Sequence, residues 1–240
     1  MSQRSEKGIR RVFRSCLFRL LAIPLTAILL LAGYETVQVM RARARTPGAL
    51  ASVANRPLAL ANLPMARRAM LLAVEDPGFY HHHGVDLWTP GTGWTTIPQA
   101  LVKRLYFPDG FEPGFAKLEQ SLIAWLVFDP AISKDEQLEI FVNYASFGRD
   151  GPRDVIGFED AARSFYGRPV AELSDRQYLG LVAMLIGPND LNPRANPEAN
   201  AARVNRIEAL VAGRCKPLNA FDVTYPACDL PRPSPERGSN

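Results

Sequence analysis

Cysteine is scarce in this chain, which has three cysteines among 240 residues. Cys215 and Cys228 lie close together near the C-terminus, and in an oxidising compartment they can form a local disulfide. The alternative is two free thiols. We interpret the pair as a clasp on the tail and assign it no catalytic chemistry. Histidine is equally scarce, with three consecutive residues at positions 81–83. Because adjacent side chains in a loop diverge, we interpret them as hydrogen-bonding groups, and no metal site is predicted.

The chain also lacks the interleaved aromatic and basic residues that are typical of nucleic-acid-binding proteins. Its net charge is +4, but the first 19 residues contain six basic residues against the single acid Glu6. This cluster explains the whole positive excess, so no nucleic-acid partner is expected. Apolar residues make up 47% of the sequence, which is enough for a sizeable core.

No charge occurs between Leu20 and Gly33 (LLAIPLTAILLLAG). With its flanks this stretch approaches the ~20 residues that a helix needs to span a bilayer, and Arg19 can reach the headgroups. We therefore predict a single-pass anchor over residues 17–34 in the cytoplasmic (inner) membrane. Residues 1–16 form a basic cytoplasmic segment, which leaves the main domain periplasmic or extracytoplasmic. A cleaved signal peptide is the alternative.

Three segments follow the predicted anchor. Residues 35–56 are interpreted as a juxtamembrane connector, residues 57–213 as one domain, and residues 214–240 as a tail. From Leu230 the composition (LPRPSPERGSN) predicts disorder.

Helical spacing of apolar residues dominates the domain. The predicted helices are Met65 to Val74, Pro98 to Leu105, residues 115–128, a helix from Ser133, residues 157–166, a helix after Ser174 and a helix from Asn196 to near Gly213. The helices after Ser133 and Ser174 open with capping boxes, since Glu136 and Gln177 lie three residues on. No continuous strand pattern occurs, so the fold class is predicted to be mainly α.

Glu75 and Asp76 are the first candidate catalytic residues. They end an apolar helix and enter a loop that contains Phe79, His82 and Gly84. A carboxylate held at a helix end against a glycine-rich loop can be partly desolvated, which raises its pKa toward the range of a general base. The alternative is an ordinary surface pair that ends the helix.

The segment AVEDPGFYHHHGVD resembles the opening motif of the peptidoglycan glycosyltransferase (transglycosylase) family, Glu-Asp-x-x-Phe-x-x-His-x-Gly. Residues 93–103 (GWTTIPQALVK) are similar to the second motif, Gly-x-Ser-Thr-Ile-Thr-Gln-Gln-x-x-Lys. Residues 116–120 and 133–143 are similar to the two parts of the third motif, and residues 157–167 to a Gly-x-x-x-Ala-Ala and aromatic-Gly segment. The order is that of monofunctional biosynthetic transglycosylases and of the glycosyltransferase domain of class A penicillin-binding proteins.

The resemblance implies a lysozyme-like, two-lobed glycosyltransferase domain that polymerises lipid II into glycan strands and releases polyprenyl pyrophosphate. It implies Glu75 as the catalytic base. The substrate-binding residues that it implies are Asp76, Phe79, His82, Gly84, Thr95, Thr96, Gln99, Lys103, Lys117 and Gln120. The two lysines would neutralise the pyrophosphate.

The family resemblance also implies a divalent cation, Mg²⁺ or Mn²⁺, as the cofactor. The partners that it implies are lipid II, the nascent glycan strand, the membrane and other proteins of cell-wall synthesis. The implied role is in cell wall biogenesis and cell shape. No Ser-x-x-Lys transpeptidase signature occurs, so a monofunctional enzyme without a cross-linking domain is expected.

Four positions carry the main departures from the family motifs. Gln120 stands where the third motif has its glutamate, and Ala116 stands where it has an arginine. In the second motif Pro98 and Ala100 replace a threonine and a glutamine. Glu119 does not replace the missing carboxylate, because on a helix it points nearly opposite to the face that position 120 shares with position 117.

These departures leave two alternatives to an active polymerase. One is a catalytically weakened pseudoenzyme that binds lipid II or glycan and scaffolds cell-wall synthesis. The other is a lysozyme-type hydrolase, but hydrolysis uses two carboxylates that flank one bond, and the sequence neighbours Glu75 and Asp76 do not flank anything.

Overall fold

The computed structural model describes residues 3–229, with side chains for residue 20 and residues 22–229. The basic side chains of the predicted cytoplasmic segment, residues 1–16, and the predicted disorder from Leu230 lie outside the described residues. The chain divides into two units, residues 1–45 and residues 46–240.

Helices dominate the described residues. They are α1 (Gln3–Ser52), α2 (Met65–Glu75), α3 (Ile97–Tyr106), α4 (Phe115–Ile123), α5 (Asp129–Ala131), α6 (Lys134–Tyr144), α7 (Phe158–Tyr166), α8 (Asp175–Met184) and α9 (Pro197–Val211). A π-helical turn (Ala124–Phe128) joins α4 to α5, where the sequence predicted one helix over residues 115–128. The predicted class, mainly α, is confirmed.

One antiparallel hairpin, β1 (Ser146–Asp150) and β2 (Arg153–Ile156), follows α6 in the described chain. It was not predicted. Phe147 and Val155 are fully buried, but most of the other residues are polar, so no alternation long enough to signal a strand exists in SFGRDGPRDVI.

In the first unit the described residues belong to α1. Its apolar side chains are largely exposed, including Leu20, Ile23 and Leu30 at 69%, 71% and 71%. By length and composition Ala22–Ser52 qualifies as a membrane span. A signal sequence near the N-terminus would pass the same test, so the anchor over residues 17–34 stays a prediction. Residues of the predicted connector are helical as far as Ser52.

Helix α8 lies at the centre of the second unit's core and packs against α2, α7 and α9. Its residues from Tyr178 to Met184 are buried, as is expected for a helical segment that is apolar on all sides. Its capping box, in which Ser174 accepts from the Gln177 amide, is confirmed.

The buried carboxylate of Asp76 joins the end of α2 to the start of α3. One of its oxygens accepts a hydrogen bond from the Ile97 backbone N–H at 2.9 Å. Both oxygens lie about 3 Å from Nε2 of His82, at 2.9 and 3.0 Å, so this nitrogen donates to the carboxylate. The first orphan N–H groups of a helix need such acceptors, and Asp76 supplies one from a distant part of the chain.

Thr96 is the N-cap of α3 and holds the same loop from the other side. Its hydroxyl donates to the Gly84 carbonyl at 2.6 Å and accepts from the Gln99 backbone N–H at 3.3 Å. The Gln99 side chain accepts from the Thr96 N–H at 3.0 Å, which completes a capping box. Pro98 occupies the second position of the helix, where no intrahelical partner for its missing N–H exists, so this departure from the family motif fits the fold.

Position 84 requires glycine because of its backbone conformation and because the backbone of Ala124 lies close to it. Its φ is +83°, and a Cβ built there would lie 2.5 Å from the carbonyl oxygen of Ala124 in the π-helical turn. We expect Gly84→Ala to lower the free energy of unfolding by roughly 2–4 kcal/mol, because strain and overpacking add. Urea unfolding in detergent, followed by circular dichroism, measures the change.

Gly151 provides the matched control for this prediction. Its φ is +64°, but nothing lies within 4 Å of a Cβ built there. Gly151→Ala should therefore lower the free energy of unfolding by the backbone strain alone, about 1 kcal/mol. Equal losses at the two positions would contradict the close contact of Gly84 with the turn.

Candidate active site

A cavity of about 930 Å³ opens in the second unit. Its wall is formed by the end of α2, the loop before α3, one side of α3, α4 and the loop between them. The end of α6, residues 185–188, Arg203 of α9 and Val223 complete it. Its size lies within the range of small-molecule binding sites.

Five of the predicted site residues line this cavity: Glu75, Thr95, Lys103, Lys117 and Gln120. They come from α2, the loop before α3, α3 and α4. The structure therefore brings together the proposed base and the proposed pyrophosphate ligands, which lie far apart in sequence.

The other six predicted substrate-binding residues lie outside the cavity wall: Asp76, Phe79, His82, Gly84, Thr96 and Gln99. Asp76 and Thr96 are fully buried, and the polar atoms of these two side chains bond to protein groups. Phe79 is 1% exposed and packs edge-to-face on His82. The fold covers the atoms of these residues, which support the cavity wall from behind, and their contact with a substrate stays a prediction.

Glu75 is the last residue of α2 and, among the described residues, the one carboxylate in the cavity wall. Burial raises the pKa of Glu75 to about 7, against the opposing influence of Arg203, while the neighbouring Asp76 raises it further. The carboxyl therefore titrates near neutral pH, which is the range in which a general base is both ionised and basic enough to act.

Among the described residues the cavity wall also carries four cations: Lys103, Arg104, Lys117 and Arg203. Lys117 donates to the Thr95 hydroxyl at 2.9 Å. Burial and then the proximity of Lys103 lower the pKa of Lys117 to about 8. An excess of positive charge in a partly desolvated cavity is suited to an anionic ligand, which would relieve the repulsion between the lysines.

Aromatic rings hold two of these cations at the cavity wall. The Lys103 ammonium lies 5.0 Å from the centroid of Phe111, and the Arg104 guanidinium lies 5.6 Å from that of Tyr144. Such cation–π contacts restrict the long side chains without neutralising their charge.

Gln120 faces the cavity from α4, on the same side as Lys117. Its side-chain N–H₂ group donates to the Gln99 carbonyl at 2.6 Å, so the amide joins α4 to α3. Its Oε1 is buried and has no hydrogen-bond partner among the described residues. Glu119 does not line the cavity, as the helical geometry predicts.

Sequence reasoning missed Arg203, Arg104 and Tyr225. Arg203 is 3% exposed on α9, and it shares a helix face with the fully buried Ile207. A charge on an otherwise apolar helix face was the signal that could have identified it. For Tyr225, in a loop near the C-terminus, no comparable signal exists in the sequence.

The residues of the cavity do not fit a protein-bound divalent cation. Mg²⁺ and Mn²⁺ prefer several oxygen ligands with carboxylates among them, but the wall offers one carboxylate beside four cations. In the described part of the chain no group of three or more histidine, cysteine, aspartate or glutamate side chains is placed to hold a metal. No catalytic step is therefore assigned to a resident metal.

The chain is similar in sequence to several penicillin-binding proteins. Penicillin-binding protein 1B of Escherichia coli (strain K12) is 33% identical over 154 residues, which cover 59% of this chain and 18% of that protein. Penicillin-binding protein 1A of Pseudomonas aeruginosa is 29% identical over 164 residues, with coverage of 63% and 19%. Penicillin-binding protein 1F of Bacillus subtilis (strain 168) is 26% identical over 164 residues, with coverage of 63% and 22%.

The chain spans about a fifth of the length of these relatives. The family model for the transglycosylase domain matches residues 45–211, which is the greater part of the chain and contains most of the cavity wall. The chain therefore belongs to the transglycosylase family.

Proposed function

We propose that this chain is a peptidoglycan glycosyltransferase that polymerises lipid II into glycan strands and releases polyprenyl pyrophosphate. One observation carries the proposal. In a chain of the transglycosylase family, a single carboxylate that titrates near neutral pH shares a cavity with four cations. This arrangement suits a reaction that removes one proton and expels one polyanion.

Glu75 acts as the base. Its carboxylate takes the proton of the acceptor sugar's 4-hydroxyl while the oxygen attacks the anomeric carbon of the donor strand. A bond forms between this oxygen and the anomeric carbon, and the bond from that carbon to the pyrophosphate oxygen breaks. The proton ends on Glu75, and the electron pair leaves with the pyrophosphate.

The cations stabilise the departing charge. Lys103 and Lys117 lie on neighbouring helices, and both face the cavity. Charge that develops on the pyrophosphate oxygens is stabilised by groups already in place in a partly desolvated site, which is where such stabilisation is strongest. Thr95 orients Lys117 through their hydrogen bond.

The lipid-tailed substrate gives the apolar helix α1 a function. Lipid II is confined to the membrane, and Ala22–Ser52 is a candidate span. In this proposal the helix anchors the enzyme in the membrane that holds its substrate, with the second unit on the extracytoplasmic side. Glycan polymerisation is the one activity that we propose for the second unit.

A catalytically weakened pseudoenzyme is the second candidate. The observation that favours it is Gln120, an uncharged side chain in the cavity wall where the family motif has a glutamate. Such a protein would bind lipid II or glycan through the same cations and would scaffold cell-wall synthesis without making strands.

We expect Glu75→Gln to reduce lipid II polymerisation more than 100-fold, because a neutral amide cannot accept the hydroxyl proton. In the wild type, kcat/KM should fall as pH decreases through about 7, since protonation removes the base. Gel analysis of glycan chains made by the full-length protein in detergent, with and without magnesium, measures both.

Glu172→Gln is the matched control for this substitution, since Glu172 is exposed and lies outside the cavity. It should leave the rate and the pH profile unchanged. Lipid II binding should persist in Glu75→Gln. Full activity of Glu75→Gln would exclude Glu75 as the base, and a wild type that binds lipid II but makes no chains would favour the pseudoenzyme.

A bound pyrophosphate should raise the pKa of Lys117, which the cavity lowers to about 8 in the free protein. Binding should then take up protons near pH 8, and affinity should fall as pH rises above 8 by at most about tenfold per unit. Calorimetry with a polyprenyl pyrophosphate, in two buffers of different ionisation enthalpy, measures the uptake. Lys117→Arg keeps its charge at these pH values and should take up fewer protons. Equal proton uptake by the wild type and by Lys117→Arg would show that a group other than Lys117 takes up the protons.

Gln120→Glu distinguishes the two candidate functions. An ionised glutamate would face the Gln99 carbonyl without a proton to donate, so we expect a loss of stability of roughly 1–3 kcal/mol and a polymerisation rate no higher than that of the wild type. Thermal unfolding and the glycan assay measure the two effects. A higher rate in the double variant Gln120→Glu with Ala116→Arg would show that the natural chain is weakened in the part of the cavity that binds the donor strand's pyrophosphate.

A further inference from the structure

The segment from Cys215 to Cys228, here called the clasp, forms part of the candidate active site although it lies beyond the region matched by the family model, residues 45–211. The structure joins the two cysteines in a disulfide, which was one of the two alternatives left open by the sequence. Val223 of the clasp lines the cavity.

The clasp holds the end of α2, which carries Glu75. The hydroxyl of Tyr225 donates to the Val74 carbonyl at 2.7 Å, and Tyr225 is fully buried. Carbonyls in the last turn of a helix lack an intrahelical partner, so Tyr225 satisfies one of them from outside. The residue before Glu75 is thereby fixed by a contact from the other end of the domain.

The clasp also holds Arg203, the cation that opposes the effect of burial on Glu75. The Val223 carbonyl accepts from an Arg203 Nη at 2.9 Å, and the guanidinium lies 5.6 Å from the centroid of the Tyr225 ring. Tyr225 is the one non-glycine residue in the described chain with a positive φ, at 57°. Unfavourable backbone of this kind persists only where surrounding contacts hold it.

A third set of contacts attaches the clasp to the loop before α3. The Gly93 N–H donates to the Ala220 carbonyl at 2.7 Å, and the Gly91 N–H to the Asn219 carbonyl at 3.1 Å. The rings of Trp94 and Phe221 stack with centroids 4.2 Å apart. The clasp therefore bridges three parts of the cavity wall, namely α2, α9 and this loop.

We propose that the clasp positions Glu75 and Arg203 for the transfer reaction, and that the Cys215–Cys228 disulfide keeps it closed, so that the rate of polymerisation depends on the oxidation of this pair. Tyr225 is a positioning residue in this scheme, since it acts through the turn that ends in Glu75. The inference rests on the proposed function.

The charged and titratable groups around Glu75 are Asp76 beside it, Arg203 and Tyr225 on the elements packed against it, and Lys103 and Lys117 in the cavity wall. Loss of the Tyr225 hydroxyl frees the last turn of α2 and admits water to Glu75. The pKa of Glu75 should then move from about 7 toward its ordinary value. The lysines lie on α3 and α4, so substrate binding should change little.

Tyr225→Phe tests the positioning role. We expect kcat to fall about tenfold with KM within about twofold of the wild type, because misplaced catalytic groups slow the chemical step. The midpoint of the acid limb of kcat/KM should shift to lower pH. The control is Tyr80→Phe, which removes a hydroxyl that donates to Asp135 at 2.8 Å outside the cavity. This variant should change neither the kinetic constants nor the midpoint. Wild-type kcat and an unshifted midpoint in Tyr225→Phe would overturn the proposal.

The disulfide is tested by reduction and by the double variant Cys215→Ser with Cys228→Ser. Reduction of the wild type with a phosphine should lower kcat about tenfold, as Tyr225→Phe does, and reoxidation should restore it. The double variant should be slow from the start and insensitive to the reductant, which excludes an effect through Cys16. Full activity of the reduced protein, with its thiols confirmed by mass spectrometry, would overturn the oxidation dependence.

A direct titration separates this inference from the proposed function. The side-chain carboxyl of Glu75 is followed by NMR in protein labelled with ¹³C-glutamate, with Glu75→Gln used for assignment. A lower midpoint in Tyr225→Phe than in the wild type supports the clasp even if neither protein makes glycan, and that result would count against the proposed function alone. Equal midpoints would refute the positioning role whatever the activity.

Discussion

The buried carboxylate of Asp76 joins the two helices that carry the opposite charges of the cavity. It accepts hydrogen bonds from the first N–H of α3 and from His82, so a charge that would be costly to bury is satisfied by donors already held in place. Glu75 precedes it on α2, and Lys103 follows on α3. Without this junction neither residue would have a defined position relative to the other.

Around this junction the cavity combines groups that destabilise the fold. The folded-state pKa of Glu75, about 7, lies above its ordinary value of 4.5, so its ionisation opposes folding increasingly as pH rises between these values. The pKa of Lys117 is lowered, so the charged form of that side chain is also disfavoured by the fold. Side chains whose charged forms are unfavourable without a ligand are typical of catalytic sites. The buried core around α8 supplies the stability that offsets them.

The departures from the family motifs are accommodated rather than disruptive. Pro98 lies where a helix tolerates proline, and the Gln120 amide bridges α4 to α3 through the Gln99 carbonyl. An ionised glutamate could not make that contact. In the proposed reaction the pyrophosphate is therefore bound by lysine and arginine side chains, and Glu75 serves the acceptor hydroxyl as its base. The clasp adds contacts from beyond the family-matched region, and they reach Arg203 and Val74, the residue before Glu75.

The helical class, most helix positions and the capping box at Ser174 could be predicted from the amino-acid sequence. Each of these depends on residues within a few positions of one another, and such local patterns can be read directly. The family motifs also predicted Glu75, Lys103 and Lys117 as residues of one site, and all three line one cavity. The hairpin and the π-helical turn were missed, since neither has a distinctive local pattern in this chain.

Long-range packing separates the motif residues that face the cavity from those that support it. Asp76 and Thr96 belong to the same motifs as Glu75 and Thr95, but they are buried by contacts with residues up to 21 positions away, such as Ile97 for Asp76. Arg203 reaches the cavity wall from α9, and Tyr225 contacts the Val74 carbonyl from 151 positions further along the chain. Burial and long-range hydrogen bonds arise when distant segments pack together, and neither is encoded in the spacing of neighbouring residues.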